Sequence, residues 1–305
     1  MENKYHAPVM LTECLAGLEI NPAGKYVDVT FGGGGHSNAI LNVLNDKGIL
    51  IAFDQDEDAK ANLPKDERLV FIDQNFEFIK NHLQYQGLLP VDGILADLGV
   101  SSHQFDEADR GFSFRFDDAE LDMRMHTSSG ISAAQLLNTY SESQLSDVFY
   151  QYGELKNGKS LAREVVNYRN VEPISRVGQL KEALKKHTPK FGDYKFLAQV
   201  FQALRIEVNR EMEVLKSFLL QVPEVLRPNG KLVVMSYHSL EDRLVKNFIA
   251  SGNFNGDLDK DFYGNVKKPM EALSRKVVTA SPEELERNPR SRSAKLRIAE
   301  KRTDS

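Results

Sequence analysis

The 305 residues carry 39 Lys and Arg against 44 Asp and Glu, a formal net charge of −5 that excludes a generally basic nucleic-acid binder but leaves local cationic patches open. At 41% hydrophobic and 27% charged the composition is that of an ordinary globular chain, and no apolar run is long enough for a membrane-spanning helix. A single cysteine cannot form an internal disulfide and fits a reducing compartment.

The start, MENKYHAPVM, lacks the charged-then-apolar pattern of a secretory signal, so a cytoplasmic protein is expected. His6-Ala7-Pro8-Val9 leads into a short helix on which Cys14 shares a face with Leu11, Leu15 and Leu18, the pattern of a small core residue. A turn at Asn21-Pro22-Ala23-Gly24 then delivers the chain into residues 26–31, short and apolar enough for a buried strand. Four glycines, Gly32, Gly33, Gly34 and Gly35, follow directly. Residues 36–44 resume with Ile40, Leu41 and Leu44 at helical spacing, and residues 49–53 form a second strand closed by Asp54.

Strand, glycine turn, helix, strand and acid make half of a nucleotide-binding unit. Glycine lets the backbone turn sharply and approach a ligand, and the helix after it points unpaired N–H groups at whatever sits in the turn. Asp54 lies 22 residues after Gly32, near the spacing of a carboxylate that binds ribose hydroxyls. NAD and S-adenosylmethionine both offer such a ribose. The pattern runs G-x-G-x-x-S from Gly32 to Ser37, which weakens a dinucleotide reading without excluding it.

Residues 69–72 form a third strand, and Phe76, Ile79 and Leu83 mark one side of the helix after it. Phe76 stands either against an adenine ring or as the first core residue of that helix. Residues 91–97 are a fourth strand ending in Asp97, beyond whose carboxyl end ligands of open α/β sheets sit. Asp97 is therefore placed to meet the cofactor or the reacting group. In DRGFSFRF, residues 109–116, Phe112, Phe114 and Phe116 alternate with polar residues beside Arg110 and Arg115. That is a short strand with one apolar face, or rings and arginines for an RNA; pattern alone favours the strand.

From residue 131 to about 190 the pattern is helical. Ser141 opens one helix with a capping box, residues 161–168 and 177–184 make two more, and Lys181, Lys185, Lys186, His187 and Lys190 give the last a basic side, usually a solvated face. Leu197, Phe201, Leu204, Val208, Met212, Leu215 and Leu219 step by three or four, predicting one long core-facing helix. Residues 231–236 are a fifth strand ending in Ser236-Tyr237-His238, with Ser239 as the expected N-cap of the next helix. His238, at a strand's carboxyl end beside the presumed cleft, is a stronger catalytic candidate than an average histidine, though a lone one. Residues 251–274 read as a loop, and residues 275–279 and 295–299 as the closing strands, with Arg287, Arg290 and Arg292 between them. No cluster has metal-ligand spacing.

The segments TFGGGGHS (30–37), DLGVSSHQFD (97–106), RGFSF (110–114), LDMRM (121–125), FQALRIEVN (201–209), SYHSLEDR (236–243) and NPRSRSAKLR (288–297) together resemble the bacterial ribosomal RNA small subunit methyltransferase H family, over a stretch from His6 to the end. The resemblance implies a seven-stranded, Rossmann-like class I S-adenosylmethionine-dependent methyltransferase with an inserted, mainly helical substrate-recognition domain, the core spanning 1–104 and 195–305 and the insertion 105–194. It implies methylation of the N4 amine of a cytidine in 16S rRNA and leaves a homodimer open; the acidic net charge and the insertion favour an assembled or late-precursor small subunit as the substrate. The resemblance places Gly34, Gly35, His36, Asp54, Phe76, Asp97 and Gln104 around the cofactor, Arg110, Phe112, Phe114 and Ser236 at the target pocket, and Asp97 with His238 at the reaction, with no metal. Tyr237 stands where Phe is common in that family, a difference expected to leave the chemistry unchanged.

The residues themselves agree with an amine target. Attack at cytosine C5 needs a cysteine to add to C6, and only the core candidate Cys14 exists. An exocyclic amine needs only an acceptor that orients it. The Asn/Asp-Pro-Pro-aromatic tetrad of many amino-methyltransferases is missing; Asp97-Leu98-Gly99-Val100 stands in its place. The competing readings are an NAD-dependent oxidoreductase and an RNA- or ribosome-binding assembly factor.

Overall fold

A computed structural model of the protein describes residues 8–101, 104–105, 107–274 and 276–303. His6, Ser102, His103, Asp106 and Arg275, which figure in the sequence motifs and elements above, lie outside the described residues. In chain order the elements are α1 (Leu11–Leu18), β1 (Lys25–Asp28), α2 (Gly35–Val43), β2 (Ile49–Phe53), β3 (Leu69–Ile72), α3 (Ile79–Tyr85), β4 (Val91–Asp97), α4 (Ala133–Thr139), α5 (Glu142–Gln151), α6 (Gly158–Arg169), α7 (Val177–Leu184), α8 (Asp193–Asn209), α9 (Glu211–Val225), β5 (Leu226–Ser236), α10 (Ser239–Ser251), β6 (Met270–Ala272), β7 (Val278–Thr279), α11 (Pro282–Arg287) and β8 (Lys295–Lys301). They divide into two units, Met1–Gly99 with Met212–Ser305, and Val100–Glu211.

The first unit is a sheet ordered β3-β2-β1-β4-β5-β8-β6, with β7 also paired to β8. β1 to β5 are parallel and β8 runs antiparallel to β5. Successive strand residues turn to opposite faces, so near-continuous apolar strands feed two cores. Tyr26, Leu50, Leu95 and Val233 pack with Cys14 and Leu18 of α1 and Ile40 and Leu41 of α2. Val27, Ile51, Ile94 and Val234 pack with Ile79 of α3, Phe218 and Val222 of α9 and Phe248 of α10. Cys14 is fully buried, as its helical spacing predicts, and burial pushes its thiol well up from the ordinary range.

The closing strands differ from expectation. The edge strand β6 comes from the stretch read as a loop, and the segment read as a strand from 275 retains only the two residues of β7. Both are short because they share one side of β8: Ala272 pairs with Ala299, and Val278 with Leu296. Among the described residues the sheet has eight strands rather than the seven expected.

The second unit is helical, with Leu136, Leu145, Phe149, Leu161, Val165, Leu180, Phe201 and Leu204 in one core. Ser132 and Ser141 each close a capping box, with Gln135 and Gln144. Such caps contribute about 1 kcal/mol each. Its boundaries are wider than the 105–194 expected, because the predicted long helix is broken. Arg210 adopts a left-handed conformation, φ 51°, between α8 and α9. α8 then buries Phe196, Val200, Phe201 and Leu204 in the helical unit, while α9 serves the sheet. No strand forms at residues 112–116; Ser113 is as buried as Phe112 and Phe114, so the sequence alternation does not correspond to two faces.

Candidate active site

β1 is flanked by β2 on one side and β4 on the other, so the strand order reverses between β1 and β4. In open parallel sheets the ligand crevice lies at the carboxyl ends of such a pair. Here those ends are Asp28 and Asp97, followed on β1 by the glycine turn. Gly32 and Gly34 take φ of 51° and 75°, values costly for residues with a Cβ, and a Cβ on Gly34 would sit 3.0 Å from the Phe31 ring. The turn is closed by Gly34 N–H donating to Phe31 O at 2.7 Å. Gly34 provides no side-chain cap for α2, which leaves first-turn N–H groups for an outside acceptor.

A buried network holds this corner. Asp28 accepts from Ser37 Oγ at 2.7 Å and from Thr30 N–H at 3.0 Å, and Thr30 Oγ1 accepts from Asp97 N–H at 2.7 Å. Ser37, which replaces the third glycine of a dinucleotide fingerprint, is thus occupied with an acid. Asp54, at the end of β2, accepts from Gly32 N–H at 2.7 Å and Asp56 N–H at 2.9 Å. It therefore fixes the turn as well as facing it. Burial pushes its carboxyl up to about 6, against the two N–H donors, with the charges of Asp56 and Asp28 adding to the rise.

Asp97 is pushed up to about 6 by burial in the same way; His36 and the Tyr237 hydroxyl act to lower it, and Asp28 and Glu241 to raise it. Tyr237 donates to Asp97 Oδ1 at 2.7 Å, while Oδ2 faces His36 Nδ1 at 3.6 Å. The other ring nitrogen, His36 Nε2, donates to Val9 O at 3.1 Å. Three carboxylates around one glycine turn form an electrostatic environment that favours a cationic ligand and repels a pyrophosphate. The donor set fits a cationic nucleoside: hydroxyls toward Asp54, positive charge toward Asp97, and an acceptor at the start of α2.

Gly34, Gly35, His36, Asp54 and Asp97 thus gather at one end of the sheet. Phe76, just before α3, is half-buried and packs edge-to-face on Phe218, ring centroids 5.3 Å apart, against the sheet's core. Ser236 ends β5 fully buried, with no hydrogen-bond partner for its Oγ among the described residues. The N-cap of α10 differs from the one expected. His238, rather than Ser239, is the N-cap of α10, its Nδ1 accepting from Glu241 N–H at 3.4 Å and its Nε2 lying 3.1 Å from Glu241 Oε1. Nδ1 thus caps the helix, while Nε2, beside the Glu241 carboxylate, has no hydrogen-bond partner among the described residues.

The remaining candidates belong to the helical unit. Gln104 is buried and exchanges hydrogen bonds with Ser101, its Oε1 accepting from Ser101 N–H at 3.0 Å. Arg110 donates to the carbonyls of Arg124 and Met125 and lies over the Phe112 ring. Phe112 and Phe114 are core residues, Phe114 against Tyr194 and Phe201, so the open stacking faces read from the motif are absent at these two rings. The basic side of α7 is largely neutralised: Lys181 meets Asp117, Lys185 meets Glu182, and Lys186 meets Glu164. Sequence reasoning missed Asp28, Thr30 and Tyr237. The first two stand beside the glycine motif and were within reach of it; Tyr237 meets an acid 140 residues away and left no local signal.

A protein named ribosomal RNA small subunit methyltransferase H from Parabacteroides distasonis is 57% identical over 305 residues, covering 99% of this chain and 100% of that one. One of the same name from Flavobacterium johnsoniae is 55% identical over 298 residues, 98% of each. A solved rRNA methylase from Streptococcus thermophilus is similar at 13% identity and a TM-score of 0.39, covering 96% of this chain and 95% of that one. The sequence model of the MraW methylase family matches residues 3–302. The chain belongs to the MraW methylase family.

Proposed function

We propose that the protein transfers a methyl group from S-adenosylmethionine to the N4 amine of a cytidine in 16S rRNA. The observation that carries this reading is near-complete coverage, above half identity, by relatives named for small-subunit rRNA methylation. The acid-rich glycine turn supports the cofactor and disfavours NAD. When bound, S-adenosylmethionine supplies an electrophilic methyl on a sulfonium sulfur. Asp54 holds the ribose hydroxyls, the start of α2 takes the cofactor's carboxylate, and Asp97 takes its ammonium or the hydrogens of the target amine. Orienting that amine is the main task of the protein, since its lone pair must point at the methyl carbon.

The helical unit, Val100–Glu211, reads the RNA. With a net charge of −5 the chain gains little from counterion release, so an unstructured RNA offers it little affinity. A pre-shaped site with an exposed or cheaply flipped cytosine is the better substrate, which points to assembled small subunits or late precursors. Among the described residues no helix is long and apolar enough to cross a membrane. Labelled methyl transfer to assembled subunits and to naked 16S rRNA, run side by side, tests this. Much faster labelling of subunits is expected; equal rates overturn the substrate reading, and no transfer to either overturns the enzyme in favour of a binding factor.

A further inference from the structure

Asp97 is held from several directions. Its N–H donates to Thr30 Oγ1, its Oδ1 accepts from Tyr237, and its Oδ2 faces the His36 ring. Asp28 at the end of β1 and Glu241 on α10 act on it as like charges, and the Cys14 thiol of α1 stands within its electrostatic reach. Because Val9 O can only accept, His36 Nε2 is the nitrogen that carries hydrogen. His36 Nδ1 then faces Asp97 Oδ2 across 3.6 Å, and a proton held between these two atoms draws ring and carboxylate together, in keeping with the lowering effect of His36 on Asp97.

We infer that Tyr237 is a positioning residue: its hydroxyl ties one oxygen of Asp97, keeps the other turned to His36, and so sets the proton affinity of a His36–Asp97 acceptor pair. The inference rests on the amine-methylation reading. In that reaction the bond from N4 to the methyl carbon forms, the bond from methyl to sulfur breaks with its electrons going to sulfur, and N4 loses one proton. The Asp97 carboxylate, with His36 Nδ1 3.6 Å away, is the acceptor for that proton. Tyr237 acts through Asp97 alone; its own phenol is pushed well above the ordinary range, by burial first and by Asp97 second, so it remains the donor.

Tyr237→Phe removes the hydroxyl and keeps the ring, and the readout is the Asp97 side-chain carboxyl carbon, followed by NMR from pH 4 to 8 in protein free of cofactor. A hydrogen bond to a charged group is lost, so the midpoint moves up by about one pH unit or more. The acid limb of kcat/KM for methyl transfer moves the same way. An unmoved midpoint overturns the inference, as does a loss of rate equal at every pH, which is what a purely structural role gives. If the wild-type protein transfers no methyl group, the proposed function fails while the titration still decides the role of Tyr237.

Discussion

Replacing Asp97 by Asn is expected to stabilise the cofactor-free protein at neutral pH while removing its activity. The Asp97 carboxyl rises from 3.8 to about 6 on folding, chiefly through burial. Two pH units correspond to roughly 3 kcal/mol that the fold gives up to keep this group ionised. An amide of the same shape avoids that cost. Its oxygen still accepts from Tyr237. Against this stands the weakening of one hydrogen bond from charge-assisted to neutral, about 1 kcal/mol. The net expectation is a gain of about 1–2 kcal/mol at pH 7.5. Its pH dependence has a definite sign. Because the folded value lies above the unfolded one, this group's contribution is most favourable below about pH 4 and is lost as pH rises through about 6. The advantage of the Asn variant is therefore near zero in acid and complete above about pH 7. Urea unfolding of both proteins at pH 4.5 and 7.5, without cofactor, reads the difference. A variant less stable than wild type at pH 7.5, or an advantage equal at both pH values, refutes the reasoning.

Asp54→Ala weakens S-adenosylmethionine binding about tenfold or more, from the loss of a charged partner to the ribose and of the clamp on Gly32 N–H; calorimetry showing unchanged affinity removes Asp54 from the site. Because Asp54 and Asp97 both titrate near 6, cofactor affinity falls between pH 7 and pH 5 by about tenfold for each carboxylate that must be ionised, and binding above pH 7 is flat. A binding constant that does not change over that interval contradicts the ionic account of the site. Methyl transfer persists in EDTA and in Cys14→Ser, apart from lost stability at this buried position, because an amine nucleophile needs neither Lewis acid nor thiol. Inactivation by chelator that zinc or magnesium reverses overturns this.

What the sequence revealed was local. A strand, a glycine turn, a helix and an acid at fixed spacing can be read without knowing anything distant, and Gly32, Asp54 and Asp97 lie where that reading puts them. The helix 177–184 and the Ser141 capping box are legible for the same reason. The break at Arg210 was not, because apolar spacing continues across it and neither Gly nor Pro marks it. β6 has three residues, two of them exposed, too few to show alternation. At the site, residue type and position were visible but partners were not. His238 was visible as a histidine after a strand, and only its contact with Glu241 reveals a cap. Phe112 and Phe114 look like stacking rings until the helices that cover them are in place.

The central claim is a methyl transfer to one amine of one nucleotide. Small subunits from cells lacking this protein, incubated with it and labelled S-adenosylmethionine, digested and mapped by mass, test that claim most directly. A single cytidine of the 16S rRNA carrying the label on N4 is the predicted result. Label on C5, label on another base, or no label in the presence of bound cofactor contradicts it.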